Sequence, residues 1–278
     1  MKQYQLGLYE KAMPNQLSLD EKILEAGRAD FDYLELSIDE TDEKLARLKW
    51  SDEEINRLCN IQAETGISIK SICLSGHRRF PLGHPDHEVQ QMSLGIMRDA
   101  IRLSSRLGVR FIQIAGYDTY YEPSTEQTKE NFARNLARSV EMAAEEGVIL
   151  AFETMETEFM NTVAKAMEWV NRLDSPYLQV YPDIGNITNS ALLYGSDVLL
   201  DLGRGTGHIV AMHLKETVPG KFREIPFGAG HVNFEEAAKF AIKLGVRMFV
   251  GEFWDMGEAD WKEKLKASNK FLRQILET

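Results

Sequence analysis

The chain has 278 residues, of which 44% are hydrophobic and 27% charged, and this globular composition suits one large α/β barrel or two small domains. A net charge of −11, from 43 acidic and 32 basic residues, repels a phosphate backbone and makes DNA or RNA a poor candidate partner. The N-terminus has no basic start followed by an apolar run, and no stretch approaches the ~18 consecutive apolar residues of a membrane span, so we expect a cytoplasmic protein without a membrane partner.

Short apolar runs alternate with longer amphipathic runs from end to end. The short runs predict eight strands, at Gln5–Tyr9, Tyr33–Ser37, Ser68–Leu74, Phe111–Ala115, Ile149–Thr154, Leu178–Tyr181, Ile209–His213 and Met248–Phe253. Apolar residues at helical spacing predict helices such as Asp52–Glu64, Gln90–Leu107, Glu126–Glu146, Val163–Leu173, Phe234–Leu244 and Asp260–Leu276. Eight β–α units without a linker predict a single-domain (β/α)8 TIM barrel over residues 1–278, whereas the alternative, a doubly wound sheet, rarely needs eight evenly spaced units.

Residues with capping chemistry mark the predicted helix boundaries. Ser18 lies three residues before Glu21, and Ser51 three before Glu54, which is the spacing of a capping box at a helix start. Glycine, which tolerates the left-handed conformation of a helix C-terminus, occurs at four predicted exits: Gly66, Gly108, Gly147 and Gly245.

Four polar side chains lie at the carboxyl ends of the last four predicted strands, where TIM barrels carry their active sites. They are Glu153, Asp183, His213 and Glu252, at steps of 30, 30 and 39 residues, about one β–α unit each. Because consecutive barrel strands are neighbours, we expect the four side chains to converge on one point. Isolated capping or ion-pairing residues are the alternative for any one of them.

Burying three carboxylates together is costly unless a cation neutralises them. Three carboxylates and one imidazole form a mostly hard ligand set, which suits Mn²⁺ or Mg²⁺ and also admits Zn²⁺ or Co²⁺. The pattern therefore predicts one divalent metal with coordination positions left for the oxygens of a small sugar.

The chain resembles the xylose-isomerase-like barrel superfamily and, within it, the L-ribulose-5-phosphate (L-xylulose-5-phosphate) 3-epimerases, formerly called hexulose-6-phosphate isomerases. The resemblance spans the whole chain and rests on the segments SGHRRFPLGH, AFETMETEFMNT, YPDIGN, HLKET and GEFW. It implies epimerisation at C3 of a ketopentose 5-phosphate in L-ascorbate and pentose catabolism, and a homodimer. In the implied mechanism the metal binds the C2 carbonyl oxygen and the C3 hydroxyl, and Glu153 and Glu252 exchange the C3 proton on opposite faces of a cis-enediolate.

The resemblance also suggests substrate-binding residues outside the metal site. Glu158 and Asn186 fall near positions where related epimerases contact the sugar, and Arg223 lies in a loop ten residues after His213. Each has a simpler interpretation as a surface or structural residue.

The loop after the third predicted strand places three basic residues together in an acidic protein: His77, Arg78 and Arg79. This loop suits a terminal phosphate, which arginine binds with two parallel hydrogen bonds. A loop held by ion pairs is the alternative.

Other functions remain open on the same scaffold. An aldose–ketose isomerase, a hexulose-6-phosphate isomerase or a dehydratase would use the same four ligands. A DNA-repair endonuclease with three zinc ions needs further histidines, one of which is replaced by Asn186, and the charge of −11 also argues against it. A non-catalytic sugar-binding barrel would not need both Glu153 and Glu252.

Overall fold

Eight parallel strands form one sheet in the computed structural model, which describes residues 3–277. The strands are β1 (Gln5–Tyr9), β2 (Tyr33–Ile38), β3 (Ser68–Leu74), β4 (Phe111–Ala115), β5 (Ile149–Glu153), β6 (Leu178–Tyr181), β7 (Met212–Leu214) and β8 (Met248–Gly251). They pair in the order β6-β5-β4-β3-β2-β1-β8-β7. The predicted TIM barrel is therefore confirmed.

Ten α-helices of the described residues cover the outside of the sheet. They are α1 (Leu19–Arg28), α2 (Asp42–Ala46), α3 (Asp52–Thr65), α4 (His87–Leu107), α5 (Glu126–Glu146), α6 (Val163–Leu173), α7 (Ile184–Tyr194), α8 (Val198–Arg204), α9 (Phe234–Lys243) and α10 (Trp261–Leu276). Both predicted capping boxes are present, at Ser18 and Ser51. Gly66 ends α3 with φ 72°, a left-handed conformation that favours glycine. Over residues 3–277, no helix is long and apolar enough to cross a membrane.

The two faces of each strand pack against different partners. In β2, Leu34, Leu36 and Ile38 belong to the large core between the sheet and the helices. Tyr33 alternates with them and points into the barrel, where its hydroxyl donates to the carbonyl of Phe249 at 3.0 Å. A Cβ on the neighbouring Gly7 would lie 2.4 Å from the Tyr33 ring, so glycine at this position makes room for the aromatic filling of the barrel.

The junction between β6 and β7 differs from the prediction. The predicted strand Ile209–His213 is wrong at its start: β7 begins at Met212, and Ile209 forms only an isolated bridge to Val180. Asp183 and His213 form a second isolated bridge. Pro182 lies between the two bridges and has no N–H to donate, so a continuous ladder is not possible here.

A buried cluster of basic residues lies beyond the carboxyl end of β1. Glu10 is fully buried, and its carboxylate accepts from Lys44 Nζ at 2.7 Å and from Arg47 at 2.7 and 2.8 Å. Lys22 Nζ donates to the backbone carbonyl of Glu10 at 3.1 Å. We call Glu10, Lys22, Lys44 and Arg47 the basic cluster, since three cations surround one carboxylate.

Candidate metal centre and active site

The four predicted ligands meet at the carboxyl end of the barrel. Glu153 ends β5, Asp183 is the N-cap of α7 just after β6, His213 lies in β7, and Glu252 directly follows β8. One potential ligand atom from each side chain lies within 4.8 Å of the others, and all four residues are buried. The convergence expected from their spacing is therefore observed.

Capping and close packing orient Asp183. Its Oδ1 accepts from the backbone N–H of Asn186 at 2.8 Å, which leaves Oδ2 facing the other ligands. The hydroxyl of Thr154 accepts from the backbone N–H of Asp183 at 2.9 Å. At Gly185 a Cβ would lie 2.7 Å from the carbonyl oxygen of Lys215, so glycine allows α7 to begin close to the end of β7.

His213 is oriented by a carboxylate on the opposite side of the barrel. Its Nε2 lies 2.7 Å from Glu35 Oε1, and Ser71 and Tyr181 hold the other Glu35 oxygen at 2.6 and 2.8 Å. A proton on Nε2 leaves the Nδ1 atom facing Glu153 Oε1 at 3.3 Å and Glu252 Oε2 at 3.2 Å. A carboxylate that holds the second nitrogen in this way is typical of histidines that bind metals.

A lysine completes this group of charges. Lys215 Nζ lies 2.9 Å from Asp183 Oδ2 and 3.4 Å from Glu252 Oε2. On the opposite side, the Gln113 amide donates to Glu153 Oε2. We call the following residues the acidic cluster, since four carboxylates face one lysine and one histidine: Glu35, Glu153, Asp183, His213, Lys215 and Glu252.

In the protein alone, the carboxylate environments differ sharply. Burial raises the pKa of Glu153, and the nearby Glu252 raises it further. Burial also raises the pKa of Asp183, well above its usual value despite the opposing effect of Lys215. For Glu252, burial is outweighed by Lys215 and His213, which hold its pKa well below the usual value. The crowding of these carboxylates is the electrostatic problem that a cation would relieve.

The residues fit a divalent metal. Apart from their ion pairs with Lys215 and their contacts with His213, the buried oxygens Asp183 Oδ2 and Glu252 Oε2 have no hydrogen-bond partner. Buried oxygens with so few partners need an explanation, and a bound ion is one of the usual ones. Three carboxylates and an imidazole Nδ1 supply four ligands of the types that Mn²⁺, Mg²⁺, Zn²⁺ and Co²⁺ accept.

Two arginines are linked through Tyr120 and Glu156, side chains of the loops that follow β4 and β5. Arg223 donates to Glu156 Oε1 at 2.9 Å, and the Tyr120 hydroxyl donates to the same oxygen at 3.2 Å. The Arg78 guanidinium lies 4.7 Å from the centre of the Tyr120 ring, and its Nε is buried without a hydrogen-bond partner. Burial lowers the pKa of Arg78, but Tyr117, Tyr120, Glu156 and Glu40 together raise it above its usual value. Glu40 Oε1 lies 3.8 Å from the guanidinium. This group can take an anionic part of a ligand.

Three predicted substrate-binding residues do not join this group of side chains around Glu156. His77 is buried, its Nε2 lies 3.2 Å from the Ser93 carbonyl oxygen, and burial lowers its pKa to about 4, so it is neutral near pH 7. Arg79 forms a surface ion pair with Asp42 at 2.7 Å. Both side chains thus have partners within the protein, and phosphate binding by these two residues stays a prediction.

Glu158 is the third predicted substrate-binding residue that lies outside this group. Its side chain is exposed, at the start of a short 3-10 helix, and the residue of this loop that reaches Arg223 is Glu156. Asn186 does lie beside the ligands: its amide donates to the Thr154 carbonyl at 2.7 Å, and its Oδ1 is buried without a partner.

Sequence reasoning missed Glu35 and Lys215, although each had a local signal. In the β2 sequence YLELSI the apolar side chains face the helices, and strand alternation puts the glutamate on the interior face. Lys215 lies two residues after His213, which predicts the same side of the chain.

Comparisons with known proteins agree with this geometry. The model of the family described as xylose isomerase-like TIM barrel matches residues 23–275. A protein of Escherichia coli K12 named putative L-ribulose-5-phosphate 3-epimerase SgbU is 46% identical over 261 residues, which cover 91% of this chain and 90% of that protein. The L-ribulose-5-phosphate 3-epimerase UlaE of Shigella boydii is 46% identical over 234 residues, covering 84% and 81% of the two chains.

Solved structures of lower identity share the fold. D-psicose 3-epimerase from Clostridium cellulolyticum H10, in a structure with D-tagatose, has a TM-score of 0.81 at 17% identity and covers 99% of this chain and 100% of its own. An L-ribulose 3-epimerase has a TM-score of 0.79 at 19% identity, covering 99% and 95%.

Proposed function

The chain belongs to the xylose isomerase-like TIM barrel family, and from this premise we propose that it is a metal-dependent isomerase that inverts C3 of a ketopentose 5-phosphate. The proposed reaction converts L-xylulose 5-phosphate to L-ribulose 5-phosphate, in the cytoplasm, during L-ascorbate degradation. The name and 46% identity of the UlaE relatives support the choice of substrate.

One observation carries the proposed chemistry: two buried carboxylates approach the same point from different strands. Glu153 Oε1 and Glu252 Oε2 lie 3.3 and 3.2 Å from His213 Nδ1. Inversion at a carbon needs one group to take the proton from one face and another to return a proton to the opposite face. A binding site without turnover would not need such a pair.

Glu153, Asp183, His213 and Glu252 would hold one divalent ion, Mn²⁺, Mg²⁺, Zn²⁺ or Co²⁺, which supplies Lewis-acid stabilisation of negative charge on the sugar oxygens. Glu153 and Glu252 remove and return the C3 proton through a planar cis-enediolate of the substrate. Gln113 holds one oxygen of Glu153, so the other remains directed into the site. The free Oδ1 of Asn186 can accept from a sugar hydroxyl.

Proton exchange in D₂O tests the proposed reaction. Incubated with L-xylulose 5-phosphate and Mn²⁺, the enzyme should place deuterium at C3 and produce L-ribulose 5-phosphate, both detected by NMR. An aldose product with deuterium at another carbon would instead identify an aldose–ketose isomerase on the same site, and turnover of hexulose 6-phosphates alone would identify a hexulose-6-phosphate isomerase.

Arg78 and Arg223 are the proposed phosphate-binding residues, because their guanidinium groups contact Tyr120 and Glu156, in the loops that follow β4 and β5 at the carboxyl end of the barrel. We expect Arg78→Ala to raise KM for the phosphorylated sugar about 10- to 100-fold, since a hydrogen bond to a charged group contributes about 1.5–3 kcal/mol. KM for the unphosphorylated ketose should be spared. Arg79→Ala is the matched control, because Arg79 pairs with Asp42 at the surface. An equal effect of Arg78→Ala on both sugars would remove the phosphate assignment.

A homodimer is also part of the proposal. Four large apolar side chains are exposed together on α7 and α8: Leu192, Leu193, Tyr194 and Leu200, at 60, 69, 43 and 74%. Exposed apolar patches on a soluble protein commonly mark interaction surfaces. Sedimentation equilibrium at micromolar concentration measures the oligomeric mass, and a monomer would contradict the proposal.

A further inference from the structure

Lys215 is a buried cation inside the acidic cluster that the proposed proton transfers do not use. It is 4% exposed, and it follows His213 by two residues, so both side chains point to the same side of the chain. Among the residues that the structure describes, Lys215 is the only lysine or arginine that forms an ion pair with a ligand carboxylate.

The ammonium group contacts the oxygens that the ion would need. Its distances to Asp183 Oδ2 and Glu252 Oε2 are 2.9 and 3.4 Å. These are the same two buried oxygens that face the His213 Nδ1 and that have no further hydrogen-bond partner. Lys215 and a divalent ion would therefore share two carboxylates, close enough to repel each other.

We propose that Lys215 is the resident counter-cation of this site. It keeps Asp183 and Glu252 in place when no ion is bound, and by its own positive charge it weakens ion binding so that the metal remains exchangeable. This inference rests on the metal site of the proposed function but not on the identity of the substrate.

Replacing Lys215 with methionine separates these two effects, because methionine keeps a similar length and removes the charge. The ion-free protein loses the partner of two buried carboxylates, so its unfolding temperature after chelation should fall by about 5–10 °C. The ion no longer meets a positive neighbour, so the Kd for Mn²⁺ should decrease about tenfold or more. Added Mn²⁺ should therefore raise the unfolding temperature of K215M by more than that of the wild type.

Calorimetric titration with Mn²⁺ and scanning calorimetry of chelated protein measure both quantities without any activity assay. Lys22→Met is the matched control, because Lys22 is an equally buried lysine in the basic cluster, where cations are in excess. Its Kd for Mn²⁺ should equal that of the wild type.

Each outcome decides the matter. An unchanged unfolding temperature for chelated K215M, or Mn²⁺ binding that is no tighter, overturns the role of Lys215 while leaving the metal site intact. Because the ion supplies the missing charge, K215M should fold when produced with Mn²⁺, and insolubility under that condition also overturns the proposal. If the wild type binds no Mn²⁺, both this inference and the metal-dependent function fail.

Discussion

Two buried clusters of charged side chains lie near the carboxyl ends of the strands, and they are built in opposite ways. In the basic cluster, one carboxylate, that of Glu10, is surrounded by three cations, and both of its oxygens accept hydrogen bonds. In the acidic cluster, four carboxylates face one lysine and one histidine, and two ligand oxygens have no partners beyond these two cations. Carboxylates are buried in both clusters, so burial alone does not distinguish a structural group from a functional one.

The difference lies in whether the protein satisfies the cluster by itself. All residues of the basic cluster come from positions 10–47, so a single stretch of chain folds into a closed set of contacts. The residues of the acidic cluster are spread over positions 35–252, and two of their oxygens share the single lysine as their ion-pair partner. An unsatisfied buried group costs stability, and such a cost persists where function requires it.

The largest effect that would sharpen this comparison is on catalysis. Glu252→Gln keeps the shape of the side chain but removes its ability to exchange a proton, so kcat should fall roughly 10³- to 10⁴-fold. Steady-state epimerisation with saturating Mn²⁺ measures it. Glu153→Gln should give a loss of similar size, and activity within a few-fold of the wild type in either variant would break the two-carboxylate mechanism.

The second-largest expected effect is on the free energy of unfolding, and it arises in the basic cluster. Glu10→Gln leaves three buried cations without their carboxylate, and breaking a buried ion pair costs about 3–5 kcal/mol in the free energy of unfolding. Urea denaturation measures the loss, while kcat of the folded protein should be unchanged. The comparison breaks if Glu10→Gln impairs kcat and spares stability.

The smallest effect concerns pH. Burial lowers the pKa of Lys22 from 10.5 to about 8; Glu10 opposes this shift, and Lys44 and Arg47 add to it. Between these values the unfolded chain binds more protons than the folded one, so the free energy of unfolding should rise with pH, by at most about 3 kcal/mol from this residue. Urea denaturation at pH 8 and pH 10.5 should show a larger rise in the wild type than in Lys22→Met. An equal rise in the free energy of unfolding in both proteins would mean that Lys22 does not titrate between pH 8 and pH 10.5.

Most of the fold was predictable because its signals are local. Apolar runs of strand length, glycine at helix ends and Ser51 three residues before Glu54 each report on a few neighbouring positions. The start of β7 was not predictable in this way. Ile209 belongs to an apolar run, but the strand cannot start there because Pro182, just after β6, interrupts the pairing.

In the candidate site, too, residues with a local sequence signal could be predicted and residues that depend on distant contacts could not. The four ligands could be found because each follows a strand, and strand ends of a barrel meet. Glu156 and Glu158 could not be ranked, because the 3-10 turn that starts at Glu158 sets which carboxylate reaches Arg223. The burial of His77 could not be predicted, because it depends on the Ser93 carbonyl of α4, a contact that no local pattern reports.

The thin junction between β6 and β7 has a consequence for how the barrel closes. Over residues 3–277, seven pairs of neighbouring strands share ladders, but this eighth contact has only the two isolated bridges, and one of them joins Asp183 to His213. Two of the predicted metal ligands thus lie opposite each other at the junction of the barrel that has the fewest backbone hydrogen bonds. An ion bound by both residues would cross-link β6 and β7 at this junction, so metal binding would also stabilise the closed barrel.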